Sequence, residues 1–393
     1  MSRFINDKAK ELKISGLGKF FELASQIKDS ISLSVGEPDF DTPYNISNEA
    51  IKAIEKGNTF YSQSRGLNEL VEEISIYNKR MYNINYNKDE ILTTVGASEA
   101  IDLIARVTLE SGDEVIIPTP CYVSYAPCVT LQGANVVYYP LSSEENFKIN
   151  PSKLKEYITP KTKMLILNFP NNPTGAILEK DILEDISKIV IEHDILVVSD
   201  EIYAELTYDK KHISIASIPN MKERTLVLNG FSKAFSMTGW RLGYILGPKE
   251  IVDRLLILHQ YSVMSASTIS QYAGIEALRN GDDAVKEMRE TYKMRRNYVV
   301  NRLHSMGISC HMPEGAFYVF ADIKKFGLTS EEFCLKLLYT EKIVVIPGNS
   351  FGDSGEGFIR ISYAYSFNDL QHALNKIETF INNIKKTIPL SKS

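Results

Sequence analysis

The sequence predicts an α/β protein, a mostly parallel β-sheet covered by helices, joined to a smaller α+β unit. Three observations carry that expectation. Short, continuously apolar, β-branched runs recur from about Ile91 onward, as strands buried on both faces require. Helical patterns separate these runs, and strand–helix–strand alternation implies parallel pairing. After about Asp283 the alternation stops, and a long charged helix gives way to short strands and two further helices.

The runs are Ile91-Leu-Thr-Thr-Val95, Glu114-Val-Ile-Ile117, Met164-Leu-Ile-Leu167, Ile195-Leu-Val-Val198, Thr225-Leu-Val-Leu228 and Gly243-Tyr-Ile-Leu246. Between the first two, Ala100, Leu103, Ile104 and Val107 fall on one helical face, at i, i+3, i+4 and i+7. In the second unit the pattern predicts a helix over about Ala284 to Ser305, then the stretch Gly315-Ala-Phe-Tyr-Val-Phe-Ala321. A helix near Ser330 to Tyr339, the strands Ile343-Val-Val-Ile346 and Phe358-Ile-Arg-Ile361, and a last helix from Asn368 follow. At 393 residues the chain exceeds one ordinary core, so two domains are expected. The segment before Thr42 is polar and too short to fold alone, which assigns residues 1–41 with 286–393 to the smaller domain and 42–285 to the large one.

Composition narrows the function. Hydrophobic residues make up 44% and charged residues 24%, the balance of a soluble globular protein. No apolar run reaches the roughly 18 residues of a membrane span, and the charged start, Met-Ser-Arg-Phe-Ile-Asn-Asp-Lys8, does not suit a signal peptide. A cytoplasmic location is therefore expected. The 44 Lys and Arg against 49 Asp and Glu give a net charge of −5, with basic runs no longer than pairs such as Lys210-Lys211 and Lys385-Lys386, so no nucleic-acid partner is expected. Cys121, Cys128, Cys310 and Cys334 are scattered, which favours free thiols over disulfides or zinc. The histidines show no metal spacing either.

Chemistry concentrates where strands end. In Asn229-Gly-Phe-Ser-Lys233-Ala-Phe-Ser-Met-Thr-Gly-Trp-Arg241 a lysine follows a strand among small and apolar residues. Desolvation there lowers an amine's pKa, and such a lysine can form a Schiff base with a carbonyl. Arg241, eight positions on, offers a planar fork of donors suited to phosphate. A lone loop lysine would more often be solvated. Asn168-Phe-Pro-Asn-Asn172-Pro-Thr-Gly175 is a turn at a strand's C-terminal end, where open α/β sheets bind ligands, though an isolated Asn-Pro would be only a turn. Asp200, in Ser199-Asp-Glu-Ile-Tyr203, ends an apolar strand and faces desolvation unless it meets a cation. Its plain alternative is a helix cap.

Val95-Gly96-Ala97-Ser98-Glu99-Ala100 runs from a strand into a helix, whose free N–H groups and dipole suit a phosphate. The later glycines of a dinucleotide fingerprint are missing. Gly357-Phe-Ile-Arg360-Ile-Ser-Tyr-Ala364 places an arginine inside an apolar strand, where burial without a partner is costly. A carboxylate held bidentately would be that partner, and an internal ion pair is the alternative.

Taken in this order, the strings resemble the class I/II aminotransferases, the pyridoxal-phosphate-dependent family of fold type I, over nearly the whole chain from about Ile14. Ser232-Lys233 followed by Gly239 and Arg241 matches the family's Ser-Lys-x-x-x-x-x-Gly-x-Arg signature. The resemblance implies that Lys233 carries pyridoxal phosphate as a Schiff base and moves protons. It implies that Asp200 pairs with the ring nitrogen and that Asn172 and Tyr203 reach the ring's 3-oxygen. Gly96, Ala97, Ser98, Ser232 and Arg241 would hold the phosphate. Tyr122, in Pro120-Cys-Tyr-Val-Ser-Tyr125, matches the aromatic stacked on the ring. Tyr61, in Thr59-Phe-Tyr-Ser-Gln-Ser-Arg-Gly66, matches a tyrosine reaching the neighbouring subunit's phosphate, which implies a homodimer. Arg360 and Gly36, the latter in Ser34-Val-Gly-Glu-Pro-Asp-Phe40, would meet the substrate with Asn172.

There are departures. Many relatives have Ser or Thr where Gly230 stands, with Ser232 the candidate substitute, and one dicarboxylate-specific branch has Lys where Ser98 stands. The strings Glu205-Leu-Thr-Tyr-Asp209, His259-Gln-Tyr261 and Ser265-Ala-Ser267 look closest to bacterial aromatic, N-acetyl-diaminopimelate or aspartate aminotransferases. The implied activity is amino transfer from an L-amino acid to a 2-oxo acid, with 2-oxoglutarate as acceptor, in a ping-pong cycle. A carbon–sulfur lyase of the same fold is the alternative. Such lyases usually have His where Tyr203 stands. A DNA-binding regulator would carry an added N-terminal module, and a dead binding protein would be expected to lose Lys233 or Asp200.

Overall fold

The structure, a computed structural model, describes residues 2–12, 16–25 and 27–387. Ile14, where the resemblance begins, lies outside them. Seven strands form the central sheet: β1 (Ile91–Thr94), β2 (Glu114–Thr119), β3 (Asn135–Pro140), β4 (Thr162–Asn168), β5 (Leu196–Asp200), β6 (Thr225–Gly230) and β7 (Gly243–Leu246). Their order is β1-β7-β6-β5-β4-β2-β3. Only β7 runs against its neighbours, β1 and β6, and every other pair is parallel. The C-terminal ends of β1, β4, β5 and β6 therefore share one edge of the sheet. β5 and β6 read as continuous apolar runs because they are buried almost throughout. β3, an edge strand that is largely exposed or half-buried, was not expected, although Val136-Val-Tyr-Tyr139 is an apolar run.

The helix α2 (Gly96–Thr108), which follows α1 (Gly16–Ser25) in chain order, leaves β1 directly and buries Ala100, Leu103 and Ile104. Val107, on the predicted face, is only partly buried and packs at the margin of the same cluster. Further on come α3 (Lys249–Ser262), α4 (Asp282–Ser305) and α5 (Phe367–Thr387). Among the described residues, no helix is long and apolar enough to cross a membrane.

A second, antiparallel sheet has the order β10 (Ile346–Pro347), β11 (Phe358–Ser362), β9 (Tyr318–Asp322), β8 (Ser309–Cys310). The run expected as one strand from Ile343 to Ile346 is divided between two partners. Ile343–Val344 pairs in parallel with Ile31–Ser32, while β10 joins β11. One hydrophobic cluster links the two sheets, from Leu165 and Val197 to Phe320 and Ile361. Arg360 sits in the middle of β11, opposite Phe320 on one side and Ile346 on the other.

Candidate active site

The shared edge of the central sheet opens into a cavity of about 340 Å³, within the range of small-ligand sites. All the residues singled out in the sequence line it except Gly96 and Tyr61. Register explains the convergence: Asn168 lies beside Asp200 across β4 and β5, and Gly230 beside Gly243 across β6 and β7. The turn that follows β6 then brings Lys233 to the mouth of the same edge.

Lys233 Nζ donates to the Gly36 carbonyl at 2.5 Å. Burial pushes its pKa down to about 8, and the nearby Arg360 and Arg241 charges act in the same direction. Asp200 is 6% exposed, and burial pushes its pKa up to about 6 against the hydrogen bonds it accepts. Those come from the Tyr125 hydroxyl at 2.6 Å and the Ile202 N–H at 3.2 Å. No helix follows it, so Asp200 is not a cap.

Arg360 is 1% exposed. It donates from Nη1 to Asn172 Oδ1 at 2.8 Å and from Nη2 to the Ser34 carbonyl at 2.6 Å, while its Nε has no partner among the described residues. No carboxylate among them pairs with it, which removes the internal ion pair. Its guanidinium lies over the Tyr318 ring, 4.4 Å from the centroid. The Tyr318 hydroxyl in turn lies 2.8 Å from that of Tyr203.

Gly96 lies just behind the lining. Its φ is +76°, and a Cβ there would sit 2.6 Å from Arg241 Nη2. A Cβ on Gly243 would come within 2.8 Å of the Ala97 nitrogen. These two positions without side chains let a helix start and an arginine head approach each other closely. Arg241 itself has a φ of +52°, a conformation disfavoured for a long side chain and found preferentially at functional sites. The Gly230 departure also has a physical reason: a Cβ there would press to 3.0 Å on the Gly243 Cα and the Leu242 carbonyl oxygen. Ser232, two residues on, does line the cavity.

Tyr61 is elsewhere. It is 84% exposed and lines a separate surface hollow with Phe60 and the Ser265–Ile269 segment. Sequence reading missed Tyr125, Tyr318 and Leu17 of the cavity wall. Tyr125 lies three residues after Tyr122 but opens a helix that Tyr122 precedes, and none of the three carries a local signal in the sequence.

These residues fit pyridoxal phosphate on observations of the molecule itself. A buried carboxyl lacks a cation, a lysine is held toward its neutral form, a buried guanidinium nitrogen is unpaired, and a cradle without Cβ atoms lies beside Arg241. Among the described residues there is no His, Cys, Asp or Glu group arranged to hold a metal.

Comparison with known proteins agrees. Residues 28–377 match the family model "Aminotransferase class I and II". The chain is 44% identical to the aspartate aminotransferase of Pyrococcus abyssi over 98% of this chain and 100% of that one. It is 43% identical to aromatic-amino-acid aminotransferase 2 of Thermococcus litoralis, over 97% and 99%. The crystal structure of the aromatic aminotransferase from Pyrococcus horikoshii OT3 superposes with a TM-score of 0.90 at 43% identity, over 95% of this chain and 100% of that one. A match of this extent, on a site of this chemistry, makes the chain a member of the class I and II aminotransferases and a pyridoxal-phosphate-dependent transferase of α/β, fold-type I architecture.

Proposed function

We propose that the enzyme moves the amino group of an L-amino acid to 2-oxoglutarate in a ping-pong cycle, from active sites shared across a homodimer. The observation that carries this reading is the meeting of Lys233, Asp200 and Arg360 in one cavity. The first two have protonation equilibria moved toward neutrality by burial, the usual mark of groups that must exchange protons or meet a charged ligand.

When bound, pyridoxal phosphate supplies a carbonyl that takes up the amino group and an electron-withdrawing ring, and it alternates between aldehyde and amine forms. Arg241, the turn Gly96-Ala97-Ser98 and Ser232 hold the phosphate. Asp200, fixed by Tyr125, pairs with the ring nitrogen, and Tyr122 stacks on the ring. Asn172 Oδ1 accepts from Arg360, which leaves the amide nitrogen to donate to the 3-oxygen alongside the Tyr203 hydroxyl. Arg360 uses two of its donors on Asn172 and Ser34, so the rest of its fork would meet the substrate carboxylate, with Gly36 beside it. Lys233, close to half-neutral near pH 8, would accept the proton from the substrate's Cα and deliver it to the carbonyl-derived carbon of the cofactor.

The homodimer is supported by the neighbouring exposed aromatics Phe60 (82%) and Tyr61 (84%), since isolated chains seldom leave such apolar area in water. In the same reading residues 42–285 form the large domain, and 1–41 with 286–393 the small one. None of the relatives named above is a lyase. The test is to follow the bound cofactor's absorbance with a panel of amino acids, then add 2-oxoglutarate. Conversion by an amino acid and full restoration by 2-oxoglutarate are expected. Release of ammonia from a thioether amino acid, with no restoration by any 2-oxo acid, would overturn the reading in favour of the lyase.

A further inference from the structure

Glu99 and His259, a partly buried carboxylate and a buried imidazole, form a pair outside the cavity, and no step of the mechanism above uses them. The His259 side chain is fully buried at 0% exposure, and its Nδ1 lies 2.8 Å from Glu99 Oε1. Against a carboxylate, that nitrogen is the donor. The other oxygen, Glu99 Oε2, accepts a short hydrogen bond from the Val95 N–H. Val95 is the N-cap of α2 and has no side-chain cap of its own, because valine offers no acceptor. Glu99 therefore reaches back over the first turn and fixes the Thr94–Val95 peptide, one residue before Gly96, which is held at φ +76°.

A carboxylate in a helix's first turn normally competes with any anion for the positive end of the helix. Here both of its oxygens are engaged away from the first-turn N–H groups, which have no acceptor within the helix. The geometry leaves the Ala97 and Ser98 N–H groups to the ligand. His259 fixes the direction of the carboxylate, since it comes from α3, a helix distant in sequence that packs against α2.

We infer that Glu99 and His259 are positioning residues for the phosphate-binding turn, setting the affinity of the enzyme for the phosphate group of its cofactor. The inference rests on the reading of Gly96-Ala97-Ser98 and Arg241 as the phosphate site.

The experiment measures equilibrium binding of pyridoxal phosphate and of pyridoxal, which lacks the phosphate, to apoenzyme. The readout is quenching of the single tryptophan, Trp240, the neighbour of Arg241 in sequence. Glu99→Ala should raise the Kd for pyridoxal phosphate about tenfold, the effect of losing one charge-assisted hydrogen bond at the turn, and leave that for pyridoxal within about twofold. His259→Leu should shift the same ratio in the same direction. Glu99→Gln, which can still accept from Val95, should restore most of the preference. Arg241→Gln serves as the control for the site itself. If it loses the phosphate preference while Glu99→Ala keeps it, the positioning role is wrong and the phosphate site stands. If neither variant loses the preference, both fail. An equal loss for the two ligands in Glu99→Ala would make the pair a packing feature and overturn the inference.

Discussion

Replacing Lys233 with methionine should make the apoprotein more stable while it abolishes amino transfer. Burial lowers the lysine from 10.5 to about 8. That lowering corresponds to roughly 3 kcal/mol held against the folded state at neutral pH. Methionine has a similar length and no charge, so it removes this penalty. Losing the 2.5 Å hydrogen bond to the Gly36 carbonyl returns about 1.5–3 kcal/mol of it. A net gain of up to about 1.5 kcal/mol remains.

The sign depends on pH in a defined way. Below about pH 8 the amine is protonated in both states, and the folded wild type bears the full penalty. Between about 8 and 10.5 the folded amine has lost its proton while the unfolded chain still binds one, so wild-type stability rises with pH. Above 10.5 both states are neutral and the penalty is gone. Urea denaturation of the two apoproteins, at one fixed protein concentration because self-association contributes, would follow this at pH 7 and pH 10.5. The variant should lead at pH 7 and lose that lead by pH 10.5. Titrating groups that do not interact with Lys233 cancel in the difference. A variant less stable than wild type at pH 7, or a difference that is flat across the range, would refute the argument that Lys233 is held toward its neutral form by burial.

Three further outcomes follow. Asp200→Asn should slow the single-turnover loss of the Cα proton by about 100-fold or more, because the ring nitrogen loses its charge partner; rates near wild type would count against that pair. Arg360→Gln should weaken binding of the amino acid by about 2–4 kcal/mol, mostly in KM, and should barely affect a primary amine lacking the carboxylate. A Lys233→Ala chain mixed with a Tyr61→Phe chain should regain activity in the heterodimer, since one hybrid site carries both lesions and the other neither. No recovery despite a clear Tyr61→Phe defect would reject the shared site.

The site was legible because it is built at strand ends. Four strands that share an edge each hand over to a short string of unusual residues, and those strings are local in sequence: Gly96-Ala97-Ser98 after β1, Asn172 after β4, Asp200 closing β5, Lys233 after β6. Their chemical types announce the reaction even before their positions are known. Residues that act through contacts between distant segments announce nothing. Tyr125 reaches Asp200 across 75 positions and Tyr318 reaches Tyr203 across 115, yet each is one of 21 tyrosines with no local peculiarity. Glu99 and His259 meet across 160 positions. Burial patterns fail in the same way at the margins. The edge strand β3 is mostly exposed or half-buried despite its apolar Val136-Val-Tyr-Tyr139, and the run from Ile343 to Ile346 serves two pairings that its uniform hydrophobicity could not distinguish. What local patterns withhold is the support around the reacting groups, and that support moves Lys233 and Asp200 away from their ordinary ionisation. The type of reaction is therefore written in the motifs. Its tuning is set by tertiary packing, and substitutions at Tyr125, Tyr318, Glu99 or His259 should alter rates and affinities without changing the reaction performed.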